Sequence, residues 1–128
     1  MGVVQAVKSL FSNHVETSDR HSDPTLKTHY YKTTAGNAFK QVHEMLKHMQ
    51  GIEILAAYEE RGEISLNVVK GRKAFVVITI INVRPLETAI DFSATTESKV
   101  VPVDFGFSKE LVRTLYKSFD QKLIPISS

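Results

Sequence analysis

The chain reads as an α+β domain with one curved antiparallel sheet, element order β-α-β-β-β-β-α, and two helices on one face. Three observations carry this. Ala74–Val83 is an almost unbroken apolar run rich in Val and Ile, the composition of a strand covered on both faces. The segments around it alternate apolar and polar residues between turn signals at Glu60-Arg61-Gly62, Lys70-Gly71-Arg72-Lys73 and Arg84-Pro85. Two other stretches, after Thr34 and after Ser108, repeat apolar residues at helical spacing.

With 128 residues, 42% hydrophobic and 23% charged, the sequence suffices for one domain with its own core. The absence of cysteine removes disulfides, thiolate metal sites and a Cys nucleophile, and fits a reducing compartment. A net charge of +2 does not by itself point to nucleic acid. No apolar run reaches the length of a membrane span, and the first residues lack the apolar core of a signal peptide, so a cytoplasmic location is expected. Met1-Gly2 is followed by Ala6 where a myristoylation signal needs Ser or Thr.

Residues 1–25 divide from the rest. Val3, Val4, Val7, Leu10 and Phe11 form the stripe of a short amphipathic helix over 2–11, and the polar stretch 12–25 is expected to be a linker or exposed arm. The α+β domain then spans 26–128. Lys27–Thr33 predicts an edge strand with paired aromatics. Thr34 predicts the N-cap of a helix that buries Phe39, Val42, Leu46 and Met49 and ends at Gly51.

The turns set an expected register for the next four strands. Tyr58 pairs with Ile64, Ala56 with Leu66 and Ile54 with Val68 across the first hairpin. Val68 then pairs with Phe75 and Leu66 with Val77 across the second. Across the third, Phe92 lies opposite Val77 and Ile90 opposite Thr79. This places Ile52, Ile54, Tyr58, Ile64, Leu66, Val68, Phe75, Val77, Ile81, Ile90 and Phe92 on one face, and a one-residue slip would invert a whole strand. Ser108 is expected to cap a final helix that buries Leu111, Val112, Leu115, Phe119 and Leu123, with Pro125 as its stop.

This element order over Leu26–Leu123 resembles the TATA-binding-protein-like α+β fold, a resemblance that implies DNA binding across the sheet, although that protein uses two such halves and this chain has one. The chain is also similar to small cytosolic proteins of Bacillus-like bacteria, a likeness that implies no activity. A helix-grip ligand-binding fold is the competing resemblance, although it calls for more strands and a longer last helix.

The second sheet face is then expected to present Leu55, Val69, Val76, Ile78 and Ile80 as an apolar patch inside an acidic rim. Such a patch on a small domain marks a contact surface. The leading functional expectation is a non-enzymatic domain that self-associates as a homodimer or binds a protein partner there, unless the N-terminal helix covers it. On this reading Ile78→Asp loosens the contact and leaves the core intact. Glu53, Glu59, Glu63, Glu87 and Asp91 would repel phosphate, which argues against nucleic acid despite the resemblance. One alternative is a carrier of a small apolar ligand, with Phe39, Met45, Phe75, Phe92 and Tyr116 around a pocket between sheet and helices. Another is peripheral membrane attachment through 2–11, for which Lys8 alone is a poor anchor.

Catalytic and cofactor motifs do not survive inspection. His43 and His48 are five apart, which puts them about 140° apart on a helix, too far for one zinc ion. His14, Glu16, Asp19, His21 and Asp23 lie in the polar stretch without rigid support. No nucleophile elbow, phosphate loop or dinucleotide fingerprint is present, and no cofactor is expected.

Overall fold

The computed structural model describes residues 14–70, 73–96 and 107–126. The expected helix at 2–11, the middle of the Lys70–Lys73 turn and residues 97–106 lie outside these. Among the described residues, six strands form one open antiparallel sheet. They are β1 (His14–Glu16), β2 (His29–Tyr31), β3 (Ile52–Tyr58), β4 (Glu63–Val68), β5 (Ala74–Arg84) and β6 (Glu87–Thr96). Helix α1 (Ala35–His48) follows β2, and α2 (Phe107–Lys122) follows β6. The spatial order is β1-β6-β5-β4-β3, and β2 also pairs with β6. Strands β1 and β2 therefore lie end to end along the same edge of β6, opposite Thr95–Ser93 and Ile90–Thr88.

Local chemistry explains the helix ends. The Thr34 hydroxyl accepts from the Asn37 amide at 3.1 Å, satisfying one orphan donor of α1. Lys47 and His48 complement the dipole in the last turn, and Gly51 turns the chain away at φ +80°. In α2, Ser108 is the second helical residue and buried rather than the expected cap. The helix closes with Leu123 N–H donating to Phe119 at 2.8 Å, and Pro125 then bridges to Tyr31.

A single core forms where both helices meet the sheet. Helix α1 brings Ala38, Phe39, Val42 and Leu46, and α2 brings Val112, Leu115, Tyr116 and Phe119. The sheet supplies Ile64, Leu66 and Val68 from β4, Val76, Ile78 and Ile80 from β5, and Ile90, Phe92 and Ala94 from β6. The Phe92 ring stands edge-on to Tyr116, with centroids 4.7 Å apart, and stacks on Phe119 at 5.6 Å. Complete burial of Ile78 contributes on the order of 2 kcal/mol.

The register corrects the sequence reading at β5. Observed pairs are Val68↔Ala74, Leu66↔Val76 and Ile64↔Ile78 on one side, and Ile78↔Phe92 and Ile80↔Ile90 on the other. Each is one residue away from expectation, so β5 is turned over while β4 and β6 keep their faces. Both rows of β5 are apolar, and alternation therefore cannot choose between them. On β3 a bulge between Ile54 and Ala56 has a similar effect: Ile52 and Ile54 point to the core, but Tyr58 pairs with Glu63 and is half exposed.

The polar stretch before Leu26 is not a free arm. From His14 onward it is stitched into the fold by β1 and then by side chains. Thr17 and Thr28 hydroxyls donate to the same Asp91 oxygen at 2.7 and 2.6 Å, and the Phe92 amide donates to the Thr17 hydroxyl at 2.8 Å. Asp23 accepts from the Thr25 amide and hydroxyl and meets the Arg113 guanidinium of α2 at 3.2 Å. The Thr25 bonds, reinforced by Arg113 and Lys109, hold the Asp23 carboxyl below the ordinary carboxylate range. Few apolar residues mark 14–25, so its place in the sheet is written in hydrogen bonds rather than in hydrophobic pattern.

Candidate functional site

The sheet face away from the helices is built around the odd-numbered row of β5: Phe75, Val77, Thr79 and Ile81. Phe75 is 44% exposed and Ile81 52% exposed. Their cross-strand neighbours are small or polar. Asn67 and Thr95 flank Phe75, Ser65 and Ser93 flank Val77, and Glu63 and Asp91 flank Thr79. The result is an apolar ridge between two shallow polar rows. Leu55, displaced by the β3 bulge, and Tyr58 add exposed apolar surface on the far side, and the Arg61 guanidinium lies over the Tyr58 ring at 4.9 Å. The described residues leave this ridge uncovered.

The expected contact residues separate accordingly. Leu55 and Val69 are about half exposed, whereas Val76, Ile78 and Ile80 lie in the core at 3% exposure or less. Inversion of β5 is the physical reason, and it replaces those three with Phe75, Val77 and Ile81. The five residues expected to line an apolar pocket do not come together as a set either, although the Phe92 and Tyr116 rings touch. Phe39, Phe92 and Tyr116 are packed in the core, Met45 borders it, and Phe75 is on the other face. Sequence reasoning missed Phe75, Val77, Ile81 and Tyr58 as outer-face residues because it placed all four on the core face.

A second polar feature lies at the β2 edge. A cleft of about 460 Å³ is lined by Asp19, Lys27, Thr28, His29, Tyr30, Asp120, Pro125 and others. Within it, Asp120 Oδ1 accepts from the Tyr31 hydroxyl at 2.6 Å and lies 3.2 Å from His29 Nδ1. The His29 ring stacks flat on Tyr116, with centroids 3.5 Å apart. The Tyr116 hydroxyl in turn donates to the Ile90 carbonyl at 2.7 Å. Burial, and then the Asp120 bond, raises the Tyr31 phenol far above its ordinary value. Tyr30 donates to Asp19, and this bond, more than burial, pushes the Tyr30 phenol up to about 12. These groups spend their hydrogen bonds on one another and tie β2 to α2 and to the preceding loop.

The remaining chemical candidates are dispersed. His43 packs edge-on against Phe39, while His48 lies 3.0 Å from Glu44 on the exposed side of α1. The His48 bond and nearby Lys47 lower the Glu44 carboxyl. No group of three or more His, Asp or Glu among the described residues could hold a metal ion. No helix among them is long and apolar enough to cross a membrane. A comparison with family models, curated proteins and solved structures finds no match to this chain.

Proposed function

We propose that the protein works by contact, associating with a second copy of itself through the open face of its sheet. The observation that carries this reading is the contrast between the two rows of β5. Val76, Ile78 and Ile80 are sealed beneath the helices, and Phe75 and Ile81, in the same strand, face outward with no described element over them. Two such faces can pack at the usual sheet-to-sheet spacing of about 10 Å around a twofold axis. The tight polar neighbours of the ridge, Ser65, Asn67, Ser93 and Thr95, allow close approach.

Charge favours a protein surface over a phosphate backbone. Glu53 and Glu63 border the ridge on one side, and Asp91 and Glu16 on the other. The resemblance to TATA-binding-protein-like sheets would imply DNA on this face, and the acidic border argues against that partner. Sedimentation velocity across a concentration series tests the reading, with Phe75→Glu and Ile81→Glu as the variants expected to weaken association.

A further inference from the structure

We infer that the free edge of β3 is a second contact surface, where an extended, basic segment of another protein adds as a further strand. This surface is separate from the β5 ridge. The two edges of the sheet end differently. On the β2 side the chain closes its own edge: Lys32 N–H donates to the Ile124 carbonyl at 2.8 Å, and Ile126 N–H to the Tyr30 carbonyl at 2.9 Å. Strand β3, at the other end of the sheet order, has only β4 beside it among the described residues. Its seven residues, Ile-Glu-Ile-Leu-Ala-Ala-Tyr, include neither the lysine nor the proline that often blunts an exposed edge.

The ladder shows which backbone groups are open. Val69 N–H donates to the Gly51 carbonyl at 2.8 Å, and bonded and non-bonded pairs alternate along an antiparallel ladder. Gly51 and Glu53 therefore bond to β4, and beyond the bulge Ala56 and Tyr58 do so opposite Ser65 and Glu63. Ile80 N–H donating to the Gly62 carbonyl gives the same alternation, since it turns the even-numbered residues of β4 toward β5. Ile52, Ile54 and Ala57 are left with N–H and C=O groups turned outward, and no described residue bonds to them. Another extended backbone matches such a row, whereas a helix does not. The bulge interrupts the row, so the added strand bonds at Ile52 and Ile54 before it and at Ala57 after it.

Charge selects the kind of segment. Glu53, Glu59 and Glu60 are exposed and form no ion pair among the described residues. Glu59 and Glu60 line a hollow of about 410 Å³ at the end of the edge, together with Ala57, Tyr58 and Arg61. The Arg61 guanidinium is engaged over the Tyr58 ring, so the hollow keeps an acidic excess that fits a Lys or Arg side chain. Leu55 and Tyr58, each about half exposed, flank the edge and offer apolar surface to the alternate side chains of the added strand.

Selection of a random decapeptide phage library on the full-length chain tests this, with the enriched peptides then synthesised. They are expected to carry Lys or Arg among alternating apolar residues, and on binding to protect the amide protons of Ile52, Ile54 and Ala57 from exchange. Failure to enrich any peptide, enrichment of sequences without basic residues, or binding that leaves those three amides unprotected overturns the inference. Two variants then locate the contact. Ala57→Pro removes one outward donor without touching a bond to β4. The double variant Glu59→Lys, Glu60→Lys reverses charge on a turn with no buried residue. Each is expected to weaken peptide binding at least about tenfold, and unchanged affinity in either overturns the inference. If circular dichroism shows Ala57→Pro unfolded, the charge variant decides. Phe75→Glu separates this contact from self-association: peptide binding retained there supports the edge as the site, and binding lost there overturns it.

Discussion

The hydroxyl of Tyr31 donates a 2.6 Å hydrogen bond to Asp120, joining the edge strand β2 to the last turns of α2 across 89 residues of sequence. Tyr31 has no exposed surface, and His29 and Tyr116 are stacked beside the pair. The bond therefore satisfies a buried phenol and anchors the edge of the sheet at once.

Replacing Tyr31 with Phe is expected to cost about 1–2 kcal/mol at neutral pH, read as a lower urea midpoint. The same pair sets an alkaline limit. Burial raises both Tyr31 and Tyr116 above the ordinary tyrosine value of 10.0. The folded state thus keeps protons that the unfolded state releases, so the stabilisation is complete below pH 10 and is lost progressively above it. Urea midpoints measured from pH 8 to 11.5 should fall beyond pH 10, and less steeply in Tyr31→Phe. A flat wild-type profile would contradict this assignment.

Ile78 and Ile81 offer a paired test of the β5 orientation. Ile78→Asp places a carboxylate in a fully buried site and should cost at least about 4 kcal/mol, enough to unfold many domains of this size. Ile81→Asp lies on the outer face and should change monomer stability by no more than about 1 kcal/mol. Thermal melts of the two variants check the orientation; the reverse order would mean that β5 faces the other way.

Gly62 is fixed by two constraints. Its φ is +65°, and a Cβ there would sit 2.1 Å from the Ile80 carbonyl oxygen, beside the bond from Ile80 N–H to the Gly62 carbonyl at 2.7 Å. Gly62→Ala should destabilise by about 2–3 kcal/mol, because the residue must bear left-handed strain and push β4 from β5. A loss under 0.5 kcal/mol on denaturant titration would rule out that close approach.

Leu86 follows Pro85 in the β5–β6 hairpin with φ 57°, a conformation that glycine adopts without strain. It is also 56% exposed, so little packing is lost when it is changed. Leu86→Gly should therefore leave stability level or raise it by up to about 1 kcal/mol, measured by chemical denaturation. A loss greater than 1 kcal/mol would show that the Leu86 side chain itself supports the turn.

Much of this architecture is legible in the residues themselves. Thr34 marks the start of α1, Gly51 its exit and Gly62 the β3–β4 turn, because each answers a local backbone requirement. Periodicity likewise places Val42 and Leu46 in the core, along with Val112, Leu115 and Phe119. The face of β5 is not legible, since Val76-Ile78-Ile80 and Phe75-Val77-Ile81 are equally apolar and the odd-length connection through 69–73 decides between them. Tyr58 is misplaced for a related reason: a bulge at Leu55 leaves no mark in an apolar run. Strand β1 escapes notice because three residues, His-Val-Glu, are too short for a pattern and owe their pairing to Thr95, Ala94 and Ser93 far along the chain.

The most direct test of the contact reading is sedimentation velocity over a concentration range reaching about 1 mM, in low and high salt. It compares the wild type with Phe75→Glu and Ile81→Glu. The prediction is a reversible monomer–dimer equilibrium, tightened by salt as the Glu53, Glu63 and Asp91 borders are screened, and weakened at least about tenfold by either glutamate. A dimer indifferent to both glutamates, or no dimer in the wild type over this range, would contradict it.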